Sequence, residues 1–272
     1  MTDSKLLAFT RYFIVYLMLA IYLIPLFFLF NTAMKTQTEY IISPVAIAKG
    51  LELVNFKEAW KIGSFSTFIK NSLLYTVSST FFSIILALLA AYPIARRYVK
   101  FSDFYYILFI MSLFLPSALI PQFVLINWLG LYNTEIGYII LRTSGTGIAF
   151  LMFVGYIKSI SRELDEAASI DGSGYIRFLF SILIPLIKPV LATGIMLTAI
   201  GTWNDIIGPI IYLSDASKQP ITRGLFAFYG QYANNWPLLA CGILIVALPL
   251  ILLYMYVQRF LVSGALAGSV KL

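Results

Sequence analysis

The sequence contains no histidine in 272 residues. That removes the commonest transition-metal ligand and the usual general base near neutral pH. Its single cysteine, Cys241, lies inside an apolar run. No disulfide can form within the chain, and a packed thiol is expected. Charge is scarce: 11% of residues are Asp, Glu, Lys or Arg, against about a quarter in a soluble domain. No GxxxxGK[ST] phosphate loop occurs, so nucleotide hydrolysis of that kind is not expected here. The "GTG" of 145–147 is too short to be a nucleotide motif, and small residues at a helix contact explain it better. No metal ligands cluster at useful spacing. The sequence therefore offers no catalytic residues, no metal ligands and no cofactor-binding residues.

Apolar residues fill the space these absences leave. They make up 60% of the chain, and the mean hydropathy of +0.89 belongs to an integral membrane protein. A span needs about 20 mostly apolar residues. Six runs qualify, at roughly 12–30, 71–95, 104–128, 136–157, 186–213 and 237–258. They are continuous, without the alternation of barrel strands. The expectation is an all-α membrane protein with six transmembrane helices, forming one transmembrane domain over 1–272. Pro116 and Pro121 fall inside the third run and are expected to kink it.

Six spans place both termini on one side. The N-terminus, the 96–100 loop, the 158–188 segment and the C-terminus carry 11 of the 19 Lys and Arg residues, and the opposite loops carry 7. Basic residues favour the cytoplasmic side, so both termini are read as cytoplasmic. The net charge of +7 is explained by the same loops and by anionic headgroups, without nucleic acid.

One cytoplasmic stretch interrupts the apolar pattern: "RELDEAASIDGSGYIRFLFSILIPLIKP", 162–189. Ser159 and Ser161 can cap a helix start, and Glu163, Asp165 and Glu166 then fall where the helix dipole favours acids. At helical spacing Leu164, Ala167, Ala168 and Asp171 share a nearly smooth face. Gly172 and Gly174 permit a sharp turn, and Pro185 and Pro189 mark a bend into the fifth span. The pattern reads as a short helix, a glycine hinge and a second helix entering the bilayer, a lever on which a soluble partner could push.

Polar residues inside spans are costly in lipid and therefore informative. Arg142 lies about two turns into the fourth span, either paired internally, at the outer cavity wall, or in contact with a solute. Asn204 and Asp205, beside Trp203, lie near the outer end of the fifth. They suit a sugar, with hydroxyls on the polar groups and C–H faces on the ring. An interfacial Trp beside a solvated acid is the competing explanation.

The residues Glu166-Ala167-Ala168, Gly172, Ile182 and Ile184-Pro185 resemble the EAA loop of permease subunits in bacterial ABC importers. Ile184 replaces the family's usual Leu. "GLYNTEIGYII" (130–140), "TWNDIIGPIIYLSD" (202–215), "PITRGLFAF" (220–228) and the tail "QRFLVSGALAGSVKL" (258–272) are similar to the carbohydrate-uptake branch, the MalG-type sugar permeases. Leu272 stands where that family commonly has Gly.

The resemblance implies half of a heterodimeric pore in the bacterial cytoplasmic membrane, importing a sugar, an oligosaccharide by expectation, by alternating access. The stretch of about 159–185 would be a cytoplasmic coupling helix and loop between spans four and five. Glu166, Ala167, Ala168, Asp171, Gly172, Ile182 and Pro185 would form the ATPase-coupling set, with Gly172 setting the turn. Arg142, Trp203, Asn204 and Asp205 would line the substrate pathway. In the tail, about 259–272, Gly268 and Lys271 would meet the ATPase. The implied partners are a second permease, two ATPase subunits carrying ATP and Mg, an extracytoplasmic sugar-binding protein, the lipid bilayer and the sugar itself. This chain would bind no cofactor and would not be an enzyme. An ion-coupled secondary transporter is the alternative, and it would need intramembrane acids that this sequence hardly supplies.

Overall fold

A computed structural model describes residues 2–145, 147–228 and 234–269, with side chains described at residue 7 and within 9–260. Among these residues there is no strand. In chain order the helices are α1 Thr2–Ala33, α2 Gln37–Ile42, α3 Val54–Ile62, α4 Phe65–Arg96, α5 Ser102–Phe114, α6 Leu119–Trp128, α7 Glu135–Thr143, α8 Gly147–Ser159 and α9 Glu163–Ile170. Then come α10 Tyr175–Phe178, a π-helical turn Leu179–Leu183, α11 Ile184–Leu186, α12 Lys188–Trp203, α13 Ile207–Tyr212, 3-10 turns at Ala216–Lys218 and Ile221–Phe228, and α14 Trp236–Ser269.

Among the described residues, four stretches are long and apolar enough to cross a membrane: Phe9–Ala33, Phe65–Arg96, Glu135–Ser159 and Trp236–Phe260. Two bent pairs, α5 with α6 (109°) and Tyr175–Leu186 with α12 (90°), raise the number to six if each pair is one span. The third sequence run is therefore broken rather than kinked. Leu115 is extended after α5, and Pro116 removes a donor just where the helix stops. The fifth run is also shorter than expected, because α12 ends at Trp203 and a separate α13 begins at Ile207.

The chain divides into two compact units, 1–66 with 223–248, and 67–222 with 249–272. In the first unit, side chains tie the segment after α1 to its own backbone. Asn31 donates to the Ala46 carbonyl and accepts from the Ala48 N–H, and the buried Lys35 ammonium donates to the carbonyls of Ser43 and Pro44 at 2.8 and 2.9 Å. Residues 9–27 of α1 are exposed along their whole length, as expected of a helix whose solvent is hydrocarbon.

In the second unit, α4, α8 and α12 build the main core around Leu88, Phe150, Phe153, Val154, Ile157, Leu183 and Ile187. Phe150 stacks on Phe109 of α5 at 3.8 Å between ring centroids. Gly194 lets α12 approach α8, since a methyl group there would stand 3.0 Å from the Phe153 ring. Small residues at such contacts let backbones approach where no hydrophobic effect drives association.

Cys241 is fully buried within the first unit, its sulfur 3.5 Å from the Ala33 carbonyl. A bulky water-soluble maleimide should leave it unlabelled in native membranes and label it rapidly after denaturation. Rapid native labelling, read by mass shift, would contradict this packing.

Candidate functional site

The stretch 159–185 folds as a short helix, a turn and a second helix. Arg162 occupies the N-cap of α9, and the Ser161 hydroxyl accepts from the Glu163 N–H at 3.2 Å. Ser159 caps nothing: its hydroxyl donates back to the Tyr156 carbonyl, ending α8. After α9 the N–H of Ser173 donates to the Ala168 carbonyl at 2.8 Å and that of Gly172 to Ser169 at 3.1 Å. Gly172 sits at φ +70° with nothing within 4 Å of where a Cβ would stand. This double bond with a left-handed glycine is a Schellman termination, so Gly172 is needed for its backbone conformation and not for space.

The expected smooth face is divided. Ala168 is buried in the main core together with Asp165, while Leu164, Ala167 and Asp171 point outward. The helix rotates this way because Asp165 has a buried partner. The outward face carries Glu163, Glu166 and Ala167, with Ile170 at 86% exposure. Ile182 packs at the core margin and Pro185 is exposed.

The partner of Asp165 is Arg96, the last residue of α4. Arg96 Nη2 lies 2.7 Å from Asp165 Oδ2, with the two side chains 2% and 5% exposed. Arg96 also donates to the carbonyls of Ile160 at 2.9 Å and Ser161 at 3.4 Å. The Tyr92 hydroxyl donates to Asp165 Oδ1 at 2.5 Å. Beyond the glycine turn, the rings of Tyr175 and Phe178 pack on Tyr92 at 5.6 and 5.2 Å. Pro93 has no N–H to offer the Leu89 carbonyl four residues earlier, and the Tyr175 hydroxyl donates to that carbonyl at 3.0 Å.

A second polar site lies in the same unit. Residues of α6 to α8, α12 and α13 line a cavity of 810 Å³, including Gln122, Arg142, Thr198, Asn204, Asp205 and Tyr212. Asp205 Oδ2 accepts from the Tyr138 hydroxyl at 2.9 Å and stands 3.4 Å from Arg142 Nη1. Its Oδ1 accepts from the Gly208 N–H at 3.0 Å. Arg142 thus has both an internal partner and a place on the cavity wall, and its Nε is buried without a partner. Trp203 is only 3% exposed and does not line the cavity, so a stacking role there is corrected. One helical position from Asn204, its indole turns into the bundle.

The 213–222 loop is pinned to its own unit by Asn71 donating to the carbonyls of Ser217 and Gln219, and by Tyr75 donating to Lys218. The amide and hydroxyl of Ser217 hold the exposed Asp215 carboxyl below its ordinary range. Lys271 lies outside the described residues, and of Gly268 only its place in α14 is described.

Residues 83–265 match the family described as the binding-protein-dependent transport system inner membrane component. The chain belongs to that family. It is 32% identical over 252 residues to the melibiose/raffinose/stachyose import permease MelC of Bacillus subtilis (strain 168), covering 91% of each chain. It is 29% identical over 255 residues to AmyC of Thermoanaerobacterium thermosulfurigenes, a probable permease for starch degradation products, again covering 91% of each. Its fold is that of a chain in the crystal structure of a bacterial ABC transporter involved in import of the acidic polysaccharide alginate, with a TM-score of 0.81, 21% identity, and 94% and 97% of the two chains covered. The protein is therefore a multi-pass permease subunit of the bacterial cytoplasmic membrane and not an enzyme. Membership implies, in general terms, a partner permease, an ATPase and a binding protein.

Gly172→Ala should lower the stability of the solubilised protein by about 1 kcal/mol through left-handed strain alone, and Gly172→Asn by less. Thermal unfolding of the two variants checks the order, and equal losses would contradict the assignment.

Proposed function

We propose that this chain is one half of a heterodimeric pore that imports a neutral oligosaccharide by alternating access. The whole of 1–272 would act as one permease domain with six spans and both termini in the cytoplasm. Two ATPase subunits would carry ATP and Mg, this chain binding neither, and an extracytoplasmic binding protein would deliver the sugar. The observation that supports the reading is the pairing of a built helix–turn–helix element at 159–185 with curated sugar-permease relatives matched over nine-tenths of the chain. Closure of the ATPases must favour one face of the pore, because a ligand shifts an equilibrium only by its differential affinity.

In this reading α9 docks into the ATPase through Glu166, Ala167, Asp171 and the exposed Ile170, with Gly172 fixing the turn and Ile182 and Pro185 leading into α12. Gly268 and Lys271 add a contact from the tail. The cavity suits a polyhydroxyl solute. Arg142 and Asp205 neutralise each other, while Asn204, Gln122 and Thr198 offer uncharged donors and acceptors. Asp205, already paired and hydrogen-bonded, is poorly placed to carry a coupling proton.

Two measurements test this reading in the reconstituted assembly. Glu166→Lys with Ile170→Asp should cut ATP-driven uptake by about tenfold or more, as loss of central interface residues does, without loss of membrane insertion. Undiminished uptake would defeat the docking assignment. Gly208→Ala, whose methyl group would collide with the Asp205 carboxylate, should raise the KM for sugar while ATP hydrolysis continues. An unchanged KM would remove Asp205 from the solute pathway.

A further inference from the structure

The glycine turn at 172 looks like a hinge in the sequence, yet both of its arms are fastened to the same helix. On one side Asp165 of α9 is held by Arg96 and Tyr92. On the other, Tyr175 donates to the Leu89 carbonyl, and Phe178 is buried against Tyr92. Residues 89, 92 and 96 are spaced to lie along one face of α4. The turn between the arms is closed by its own two backbone hydrogen bonds. Arg96 further caps the end of α8 through Ile160 and Ser161. A hinge needs one arm free to swing, and neither arm is free.

We propose that Arg96, Asp165 and Tyr92 are positioning residues that make α9, the glycine turn and the final turns of α4 one rigid body. Force applied to α9 then passes directly into α4 at Arg96, not through bending at Gly172. The inference rests on the reading of α9 as the ATPase-docking element. The charged pair is suited to this role because both groups are almost wholly out of water. Separating them would strand two charges, so the contact resists opening where a surface ion pair would not.

The test uses the complete reconstituted importer with its ATPase, partner permease and binding protein. Spin labels at the exposed positions 97, directly after α4, and 163, on α9 but outside the docking set, report the distance between the end of α4 and α9. That distance should be the same without nucleotide and with ATP trapped, while the labels move together relative to the partner permease. Asp165→Asn should broaden the distance and reduce solute moved per ATP hydrolysed by about tenfold, a typical coupling energy between sites. Tyr92→Phe removes a single hydroxyl and keeps the ring, so it should fold and give a smaller loss in the same ratio. Arg96→Lys should restore part of the coupling that Arg96→Gln loses.

A distance between 97 and 163 that changes through the wild-type cycle would overturn the proposal. So would Tyr92→Phe and Asp165→Asn assemblies that keep the wild-type ratio. If the wild-type assembly moves no solute with ATP, the failure lies in the functional reading itself, and the distance measurement still decides whether the two elements move as one.

Discussion

Arg96 and Asp165 form an ion pair with almost no access to water, and three stretches of chain converge on it. Taking two charges out of water is expensive, and their attraction offsets the cost only with good geometry and further hydrogen bonds. The Tyr92 hydroxyl and Arg96 Nε donate to Oδ1, and the carbonyls of Ile160 and Ser161 take further guanidinium N–H groups, while Oδ2 has the close ion-pair contact alone. The carboxylate fixes the rotation of α9, which turns Ala168 inward and leaves Ile170 and Glu166 outward. The guanidinium fixes where α4 and α8 end relative to each other. An apolar contact of equal size could hold these segments together, but it would not select one rotation of a short, weakly amphipathic helix.

The prolines follow a related logic. In hydrocarbon every backbone carbonyl must find a donor within the protein. Pro93 leaves the Leu89 carbonyl without its helical donor, and the Tyr175 hydroxyl supplies one from the far side of the glycine turn. Pro185 follows the π-helical turn Leu179–Leu183, where the hydrogen-bond register has already shifted. What reads as disruption in sequence is therefore used to place side chains that join separate helices.

Much of this was legible beforehand. Apolar length identifies the spans. The acids of 163–166 and the paired glycines identify the helix and turn, and Glu166 through Pro185 resembles a known coupling loop. Pro116 also signals trouble in the third run, although proline alone does not distinguish a kink from a 109° break. The inward roles of Asp165, Arg96 and Tyr92 were not legible, because they depend on residues about seventy positions apart meeting. By periodicity alone Ala168 falls with Ala167 on one smooth face of α9, and only the buried Arg96 turns it inward. Arg142 was partly legible: an arginine inside a span calls for a partner or a cavity, but that the partner is Asp205 shows only in the structure. Trp203 was harder, since one helical step separates lining the cavity from facing the bundle.

The two ion pairs acquire a common meaning through α4. About three turns from its start Tyr75 packs edge-on against Tyr138 at 4.9 Å, and Tyr138 holds the Asp205 carboxylate beside the cavity. At its end Arg96 holds Asp165. From Tyr75 to Arg96 the helix runs about 30 Å at 1.5 Å per residue, close to the hydrocarbon thickness of a bilayer. One continuous helix thus touches the polar cluster at the cavity and the polar cluster under α9. A packed interior transmits displacement because it has little room to absorb it. Any movement imposed on α9 and carried into α4 must then be accommodated at Tyr138 and Asp205, where the cavity offers the space that the core does not.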